Sequence, residues 1–270
     1  MKNGITSDNT YYVTAGTGEP LILIHGVGLD HTMWKEHVNY FSSYYQVFAY
    51  DMLGHGKSRK PDKEKYELQD FTEQLLNFMN ELNIHKPHIL GFSMGGMVAQ
   101  SFGIVYKEKV KSLTISNAVA HRNDKERLSV QGRIQDVEEK GKNSTIEPAI
   151  ERWFNDEFIR RHLNLINQIK QRLKNNDEDS YLKAYRVFGE ADRLLWEDLC
   201  EINAPTLVIT GQFDQGSNVR MAEEMVQRIS QSKLIIIPEA RHMLPLEKFQ
   251  VFNQNVYEFL KNIDKEVKNN

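Results

Sequence analysis

The chain has 270 residues, enough for one large domain or for a core domain that carries an insertion. Hydrophobic residues at 40% and charged residues at 26% match an ordinary globular protein, and 34 basic against 37 acidic side chains leave a net charge of −3, which offers no electrostatic reason for a nucleic-acid or membrane-surface partner. Cys200 is the single cysteine, which excludes an intrachain disulfide and a cysteine-rich metal site, and its acidic neighbours Glu197, Asp198 and Glu201 would raise rather than lower a thiol pKa.

Residues 1–8 lack the apolar run of a secretory signal, and no stretch approaches the roughly 18 apolar residues that cross a bilayer, so a cytoplasmic location is expected. Tyr11-Tyr12-Val13, followed by Gly16 and Gly18, predicts an antiparallel hairpin at one sheet edge. Short apolar runs then recur at 21–24, 46–50, 88–92, 111–115, 206–210 and 234–237. They are continuous rather than alternating, the pattern of parallel strands covered on both faces. Between them lie helical stripes. Leu68, Phe71, Leu75, Phe78, Met79 and Leu82 form one, and Phe249, Phe252, Val256, Phe259 and Leu260 another. Strand and helix in alternation predict an α/β class, with a mostly parallel central sheet and helices on both faces. The tail from Lys261 to Asn270 is polar and reads as a fraying end.

One interval breaks the rhythm. Residues 121–195 contain no convincing strand, and a crossover needs only about a dozen residues. Ile159, Leu163, Ile166, Ile169 and Leu173 recur every three or four residues, as on one helical face, with breaks at 141–144 and 175–177. The expected organisation is a core of 1–120 and 196–270 with a helical cap inserted at 121–195.

The strongest local signal is Gly91-Phe92-Ser93-Met94-Gly95, a G-x-S-x-G placed after a predicted strand and before a helical run. A sharp strand-to-helix turn lifts the serine hydroxyl clear of the sheet, and flanking glycines avoid clashes with the neighbouring strand and helix. The helix N-terminus presents free N–H groups to a developing oxyanion. These residues resemble the α/β-hydrolase superfamily, whose chain order is nucleophile, acid, histidine. The resemblance demands an acid after a later strand and a histidine after the last one. Asp214, in Gly211-Gln212-Phe213-Asp214, and His242, in Ala240-Arg241-His242, stand there. Taken alone, Asp214 could be a turn residue or helix cap and His242 an idle loop histidine. Asn117 and Asp124 are rival positions for the acid, but asparagine carries no charge to stabilise an imidazolium.

His25-Gly26-Val27-Gly28 fits the superfamily's H-G-x-G pattern, which implies that the N–H groups of Val27 and Met94 form an oxyanion hole, with His25 as a loop-stabilising hydrogen bonder. Asp51-Met52-Leu53-Gly54-His55-Gly56-Lys57-Ser58 resembles its D-x-x-G-x-G-x-S scaffolding turn. Two imitations fail. Gly56-Lys57-Ser58 would need glycine at Asp51 to complete a P-loop, and the dinucleotide-like Gly26-x-Gly28 has His31 where its third glycine belongs. The histidines at 25, 31, 37 and 55 form no metal-ligand spacing such as H-E-x-x-H, so neither a metal nor another cofactor is expected.

The resemblance implies acyl transfer to water, with Ser93 as nucleophile, His242 as base and Asp214 as its acid partner. Serine at this position separates the chain from the superfamily's dehalogenases and epoxide hydrolases, which use aspartate. Its C–C bond hydrolases carry asparagine before the serine and tryptophan after the histidine, where this chain has Phe92 and Met243. The chain is more similar to carboxylesterases and 3-oxoadipate enol-lactonases, and a small, largely apolar ester or lactone is the expected substrate, with no nucleic-acid or membrane partner. Candidate liners are Phe92, Met243, Trp153 and Phe154, together with Met94. C–C hydrolysis, lyase or perhydrolase chemistry and a triad-bearing small-molecule receptor are the alternatives, since residues 25–34 also resemble such receptors. Substrate identity and oligomeric state are not written in the sequence. A base that must be neutral predicts turnover rising with pH through roughly 6–7, and a flat rate profile from about pH 5 to 8 would count against His242.

Overall fold

The computed structural model describes residues 1–269, and side-chain environments up to Glu266. Eight strands form one sheet in the order β1-β2-β4-β3-β5-β6-β7-β8. They are β1 (Lys2–Ile5), β2 (Tyr11–Ala15), β3 (Pro20–Ile24), β4 (Gln46–Tyr50), β5 (His88–Phe92), β6 (Ser112–Ser116), β7 (Thr206–Gly211) and β8 (Ser232–Ile237). From β4 to β8 all neighbours are parallel, while β1–β2 and β2–β4 are antiparallel. The expected antiparallel edge is present, but β2 finds its hairpin partner in Lys2–Ile5, on the other side from Gly16 and Gly18. β1 leaves no strand signature in the sequence because its residues are mostly exposed and carry no apolar run.

Successive side chains of a strand point to opposite faces, so the central strands feed two cores. Ile22 and Ile24 of β3 join one cluster, Leu21 and Leu23 the other. The first face is covered by α2 (Leu68–Glu81), α3 (Met94–Val105) and α9 (Val219–Arg228), the second by α1 (Lys35–Phe41) and α11 (Phe249–Asn269). In α2, Leu68, Phe71, Leu75, Phe78 and Met79 are buried as their spacing requires, and a reciprocal cap between Glu67 and Asp70 closes the N-terminus.

Five helices stand between β6 and β7: α4 (Asp124–Lys140), α5 (Ile146–Trp153), α6 (Asp156–Arg161), α7 (Leu163–Lys174) and α8 (Glu178–Leu195). The apolar series through Ile159 does not form one face. The helix breaks at His162, Leu163 is 59% exposed, and only Ile166, Ile169 and Leu173 are buried in α7. The two ends of the inserted segment are joined by a buried ion pair, in which Arg122 Nη1 donates to Asp192 Oδ1 at 2.7 Å and the Arg122 N–H to Oδ2 at 3.0 Å.

The tail does not fray over its described length. The short α10 (Leu244–Glu247) leads into α11, which continues as helix to Asn269, while Asn270 lies outside the described residues. Its anchor is Asp264, which accepts from Lys111 Nζ at 2.6 Å, Tyr45 Oη at 3.1 Å and His88 Nε2 at 3.1 Å. Burial acts to raise the Asp264 pKa, but the bonds from His88 and Lys111 overcome it and hold the carboxyl well below its ordinary range. No helix among the described residues is long and apolar enough to cross a membrane.

Four histidines, at 25, 37, 55 and 88, are fully enclosed in the fold, and burial depresses the pKa of three. Burial, then the nearby charge of His55, pushes His25 down to about 3, and burial pushes His37 and His55 down to about 4. These groups stay neutral in the folded chain while the unfolded chain takes up their protons near pH 6.5, so stability is full above that pH and drains as pH falls toward 4. Each withdraws up to about 1.4 kcal/mol per pH unit across that window. The urea midpoint should therefore fall steadily between pH 6.5 and 4, with a shallower slope in His37→Gln. An unchanged midpoint down to pH 4.5 would contradict the burial of neutral imidazoles.

Candidate active site

The chain leaves β3 toward β4 on one side of the sheet and returns to β5 on the other, so a crevice opens at the C-terminal ends of β3 and β5. Ser93 sits at the end of β5, as the residue capping α3, with φ 54 and ψ −115. That region costs a non-glycine residue of order 1–3 kcal/mol and persists only where the surroundings impose it. The surroundings here are backbone contacts. A Cβ on Gly91 would lie 2.1 Å from Gly95 O, and a Cβ on Gly95 would lie 2.4 Å from Ile24 O. The Ser93 N–H is held by Ser116 O at 2.9 Å.

The loop at 25–28 follows β3 and packs against this turn, so that a Cβ on Gly26 would lie 3.2 Å from Ser93 Cβ. His25 fixes the loop as a single neutral tautomer, because its Nδ1 donates to Gly26 O at 2.8 Å and its Nε2 accepts the Met52 N–H at 2.9 Å. Asp51 organises the following turn. Its carboxylate accepts the N–H groups of His31 and Lys57, each at 2.8 Å, and His31 Nδ1 at 2.7 Å. Among the described residues, neither the Val27 N–H nor the Met94 N–H has a hydrogen-bond acceptor in the chain.

Asp214 and His242 come from the loops after β7 and β8. His242 Nδ1 donates to Asp214 Oδ2 at 2.8 Å. The same oxygen accepts Asn117 Nδ2 at 2.9 Å, and Oδ1 accepts the N–H groups of Gly216 and Ser217 at 2.9 and 3.0 Å. Burial would raise the Asp214 pKa, yet the His242 charge and bond, then the Asn117 and Ser217 bonds, hold it below the ordinary carboxylate range. Asn117, weighed above as a rival acid, is thus a donor to the acid. The other rival, Asp124, opens α4 at the surface.

Ser93 and His242 line one small cavity of about 40 Å³ without a hydrogen bond between them. Such bonds are often long in a free enzyme and tighten with substrate. Val27, Asp214 and Trp153 also line it, whereas three of the expected liners do not. Phe92 is buried with its ring centroid 5.1 Å from the His242 ring, Met243 is buried with its N–H on Trp153 O at 3.0 Å, and Phe154 is buried and stacked on Phe158. These side chains build the wall behind the site rather than its surface. Met94 is likewise fully buried, so its side chain lines nothing.

The residues that do face the cavity include Arg133 of α4, Arg152 of α5, Tyr185 and Phe188 of α8, and Gly216 and Ser217. Two guanidinium groups correct the expectation of an apolar lining. No motif marks them in the sequence; only their position on the inserted helices could have drawn attention. A larger groove of about 370 Å³, lined by Leu29, Met33, Ile169 and Phe249 among others, lies away from Ser93 and His242, so volume alone does not pick out the chemistry.

Comparison with known proteins agrees with this fold. The alpha/beta hydrolase fold family matches residues 19–249, which contain Ser93, Asp214 and His242. The chain is 31% identical over 250 residues, 93% of each chain, to the (E)-2-((N-methylformamido)methylene)succinate hydrolase of Acinetobacter baylyi. It is 32% identical over 243 residues, 90% of this chain and 89% of the relative, to 3-oxoadipate enol-lactonase 1 of the same organism. Among solved structures, a thermophilic esterase from Thermogutta terrifontis with malate bound aligns with a TM-score of 0.85 at 27% identity, covering 94% of this chain and 93% of that one. The sheet order, the family match and the relatives agree: the chain belongs to the alpha/beta hydrolase fold family.

Proposed function

We propose that this protein is a serine hydrolase that cleaves a small carboxylic ester or lactone through an acyl-enzyme on Ser93. The observation that carries the reading is the pairing of Ser93, strained at φ 54, with a His242 whose Nδ1 is bonded to a fully satisfied Asp214 across the same cavity. The Asp214 bond keeps the His242 proton on Nδ1 and leaves Nε2 as the base. Nε2 takes the hydroxyl proton as Ser93 Oγ bonds to the substrate carbonyl carbon. The resulting oxyanion accepts from the N–H groups of Val27 and Met94, both without acceptors in the chain. Collapse breaks the carbon–oxygen bond of the leaving group, which receives the proton from His242. Water then repeats the cycle and releases the acid.

A relative named as an enol-lactonase and a solved structure named as an esterase support an oxygen-ester or lactone class. The five helices within 121–195 serve as a cap in this reading. A cavity of about 40 Å³ has room for little more than one water, so these helices must shift to admit a substrate. No residue of the proposed reaction requires a cofactor.

A fluorophosphonate probe should label the native chain at Ser93 and fail on Ser93→Ala. That variant should lose at least about 10⁴-fold in kcat while its unfolding midpoint stays near that of the native chain. Asp214→Asn should lose about 10³–10⁴-fold through the wrong imidazole tautomer. If the native chain neither reacts with the probe nor hydrolyses any member of an activated ester and lactone panel, the reading is wrong.

A further inference from the structure

We propose that Arg133 and Arg152 form a carboxylate-binding site inside the Ser93 cavity, so that the ester or lactone turned over here carries a carboxylate of its own. The inference rests on the reading of Ser93 as nucleophile and adds the substrate's charge to it.

The argument is one of missing partners. Among the described residues, every other arginine that is not exposed has a carboxylate within 4.0 Å. Arg122 and Arg127 have Asp192, Arg172 has Asp30, Arg220 has Glu126 and Glu224, Arg228 has Glu197, and Arg241 has Asp156. Arg133 and Arg152 are half-buried and have none. Hydroxyls hold the first, with Nε donating to Tyr185 Oη at 3.0 Å and Nη1 to Ser129 Oγ at 2.8 Å, which orients the fork without neutralising it. The second makes only a long bond, 3.4 Å, to Pro148 O of its own helix.

Two like charges brought by different helices to one small cavity repel each other and cost folding free energy. Burial, then the charge of Arg133, pushes the Arg152 pKa down from its ordinary range. Asp214 lines the same cavity and acts on Arg152, but from beyond ion-pair distance and with both oxygens already bonded, so it does not fully relieve this. A substrate carboxylate would, through charge-assisted bonds whose planar geometry suits the guanidinium fork. Beside them Ser217 lines the same cavity with a buried Oγ that has no partner, a further contact for a polar substrate. A neutral substrate would leave the two guanidinium charges unanswered.

The test compares the p-nitrophenyl monoester of adipate, which keeps a free carboxylate, with p-nitrophenyl hexanoate of equal chain length. Charged hydrogen bonds of ordinary strength predict a kcat/KM ratio of roughly 10–100 in favour of the charged ester at low ionic strength. Arg133→Gln and Arg152→Gln should each reduce that ratio about tenfold, with thermal unfolding checked for both. Succinate should inhibit hexanoate hydrolysis competitively and succinamide should not, a comparison on the native chain that needs no variant to fold. A ratio near one that ignores both substitutions, or equal inhibition by succinate and succinamide, overturns the carboxylate site and leaves the hydrolase standing. Failure of both esters and of the fluorophosphonate probe would instead remove the hydrolase reading itself.

Discussion

Everything at this site depends on how closely the first turn of α3 passes the end of β3. At Gly95 the distance is set by backbone alone, since any Cβ would meet the carbonyls of Ile24 and His25 at 2.4 and 2.5 Å. That contact forces the turn at Ser93 into its left-handed geometry, and it brings the start of α3 against the loop at 25–28. Two segments far apart in sequence thereby present their unbonded N–H groups beside one hydroxyl. The parallel sheet does the rest. Its strands all end at the same edge, so the loops carrying Asp214 and His242 arrive there without further instruction.

The electrostatics divide along the same line as the architecture. In the core, Asp214 is surrounded by four donors and its charge is fully answered before any substrate arrives. On the helices between β6 and β7, Arg133 and Arg152 face the same cavity, and among the described residues neither has a carboxylate within ion-pair distance. A group whose charge is satisfied within the chain holds its neighbour in place; a group left unsatisfied is available to something else. The core therefore carries the features suited to chemistry in general, and the insertion carries the feature that selects among substrates.

This division explains what was legible in the sequence. Ser93, Asp214 and His242, the residues of the proposed reaction, stand out because that chemistry requires those side-chain types, and strand ends are visible as apolar runs that stop abruptly. The sheet was legible for the same reason, except β1, whose exposed residues make an edge by backbone pairing alone. The polar tail hid its helix because the anchor, Asp264, is held by Tyr45, His88 and Lys111, none of them near it in sequence. Phe92, Met243 and Phe154 were misread as lining because an apolar side chain next to a reactive residue can pack behind it or beside it, and sequence spacing does not distinguish the two. Arg133 and Arg152 gave no signal, since an arginine on an amphipathic helix is ordinarily a solvated one.

The helices between β6 and β7 are fastened both to one another and to the core. The two ends of this segment are joined by the buried Arg122–Asp192 pair, reinforced by Arg127 and by bonds from Arg122 to the carbonyls of Phe188 and Gly189. Breaking such a pair by moving one partner away would leave a buried charge uncompensated, at a cost of several kcal/mol. The middle is held by directional bonds as well as by the apolar contacts of Ile166, Ile169 and Leu173. Arg241 Nη1 donates to the carbonyls of Glu151 and Phe154, each at 2.7 Å, the Met243 N–H donates to Trp153 O at 3.0 Å, and Arg172 pairs with Asp30. Arg152 and Trp153 on α5 are thereby held beside the loop that carries His242, as Arg133 on α4 is held from the Arg122 end. A carboxylate entering the cavity would therefore meet both guanidinium groups on helices that the core already positions.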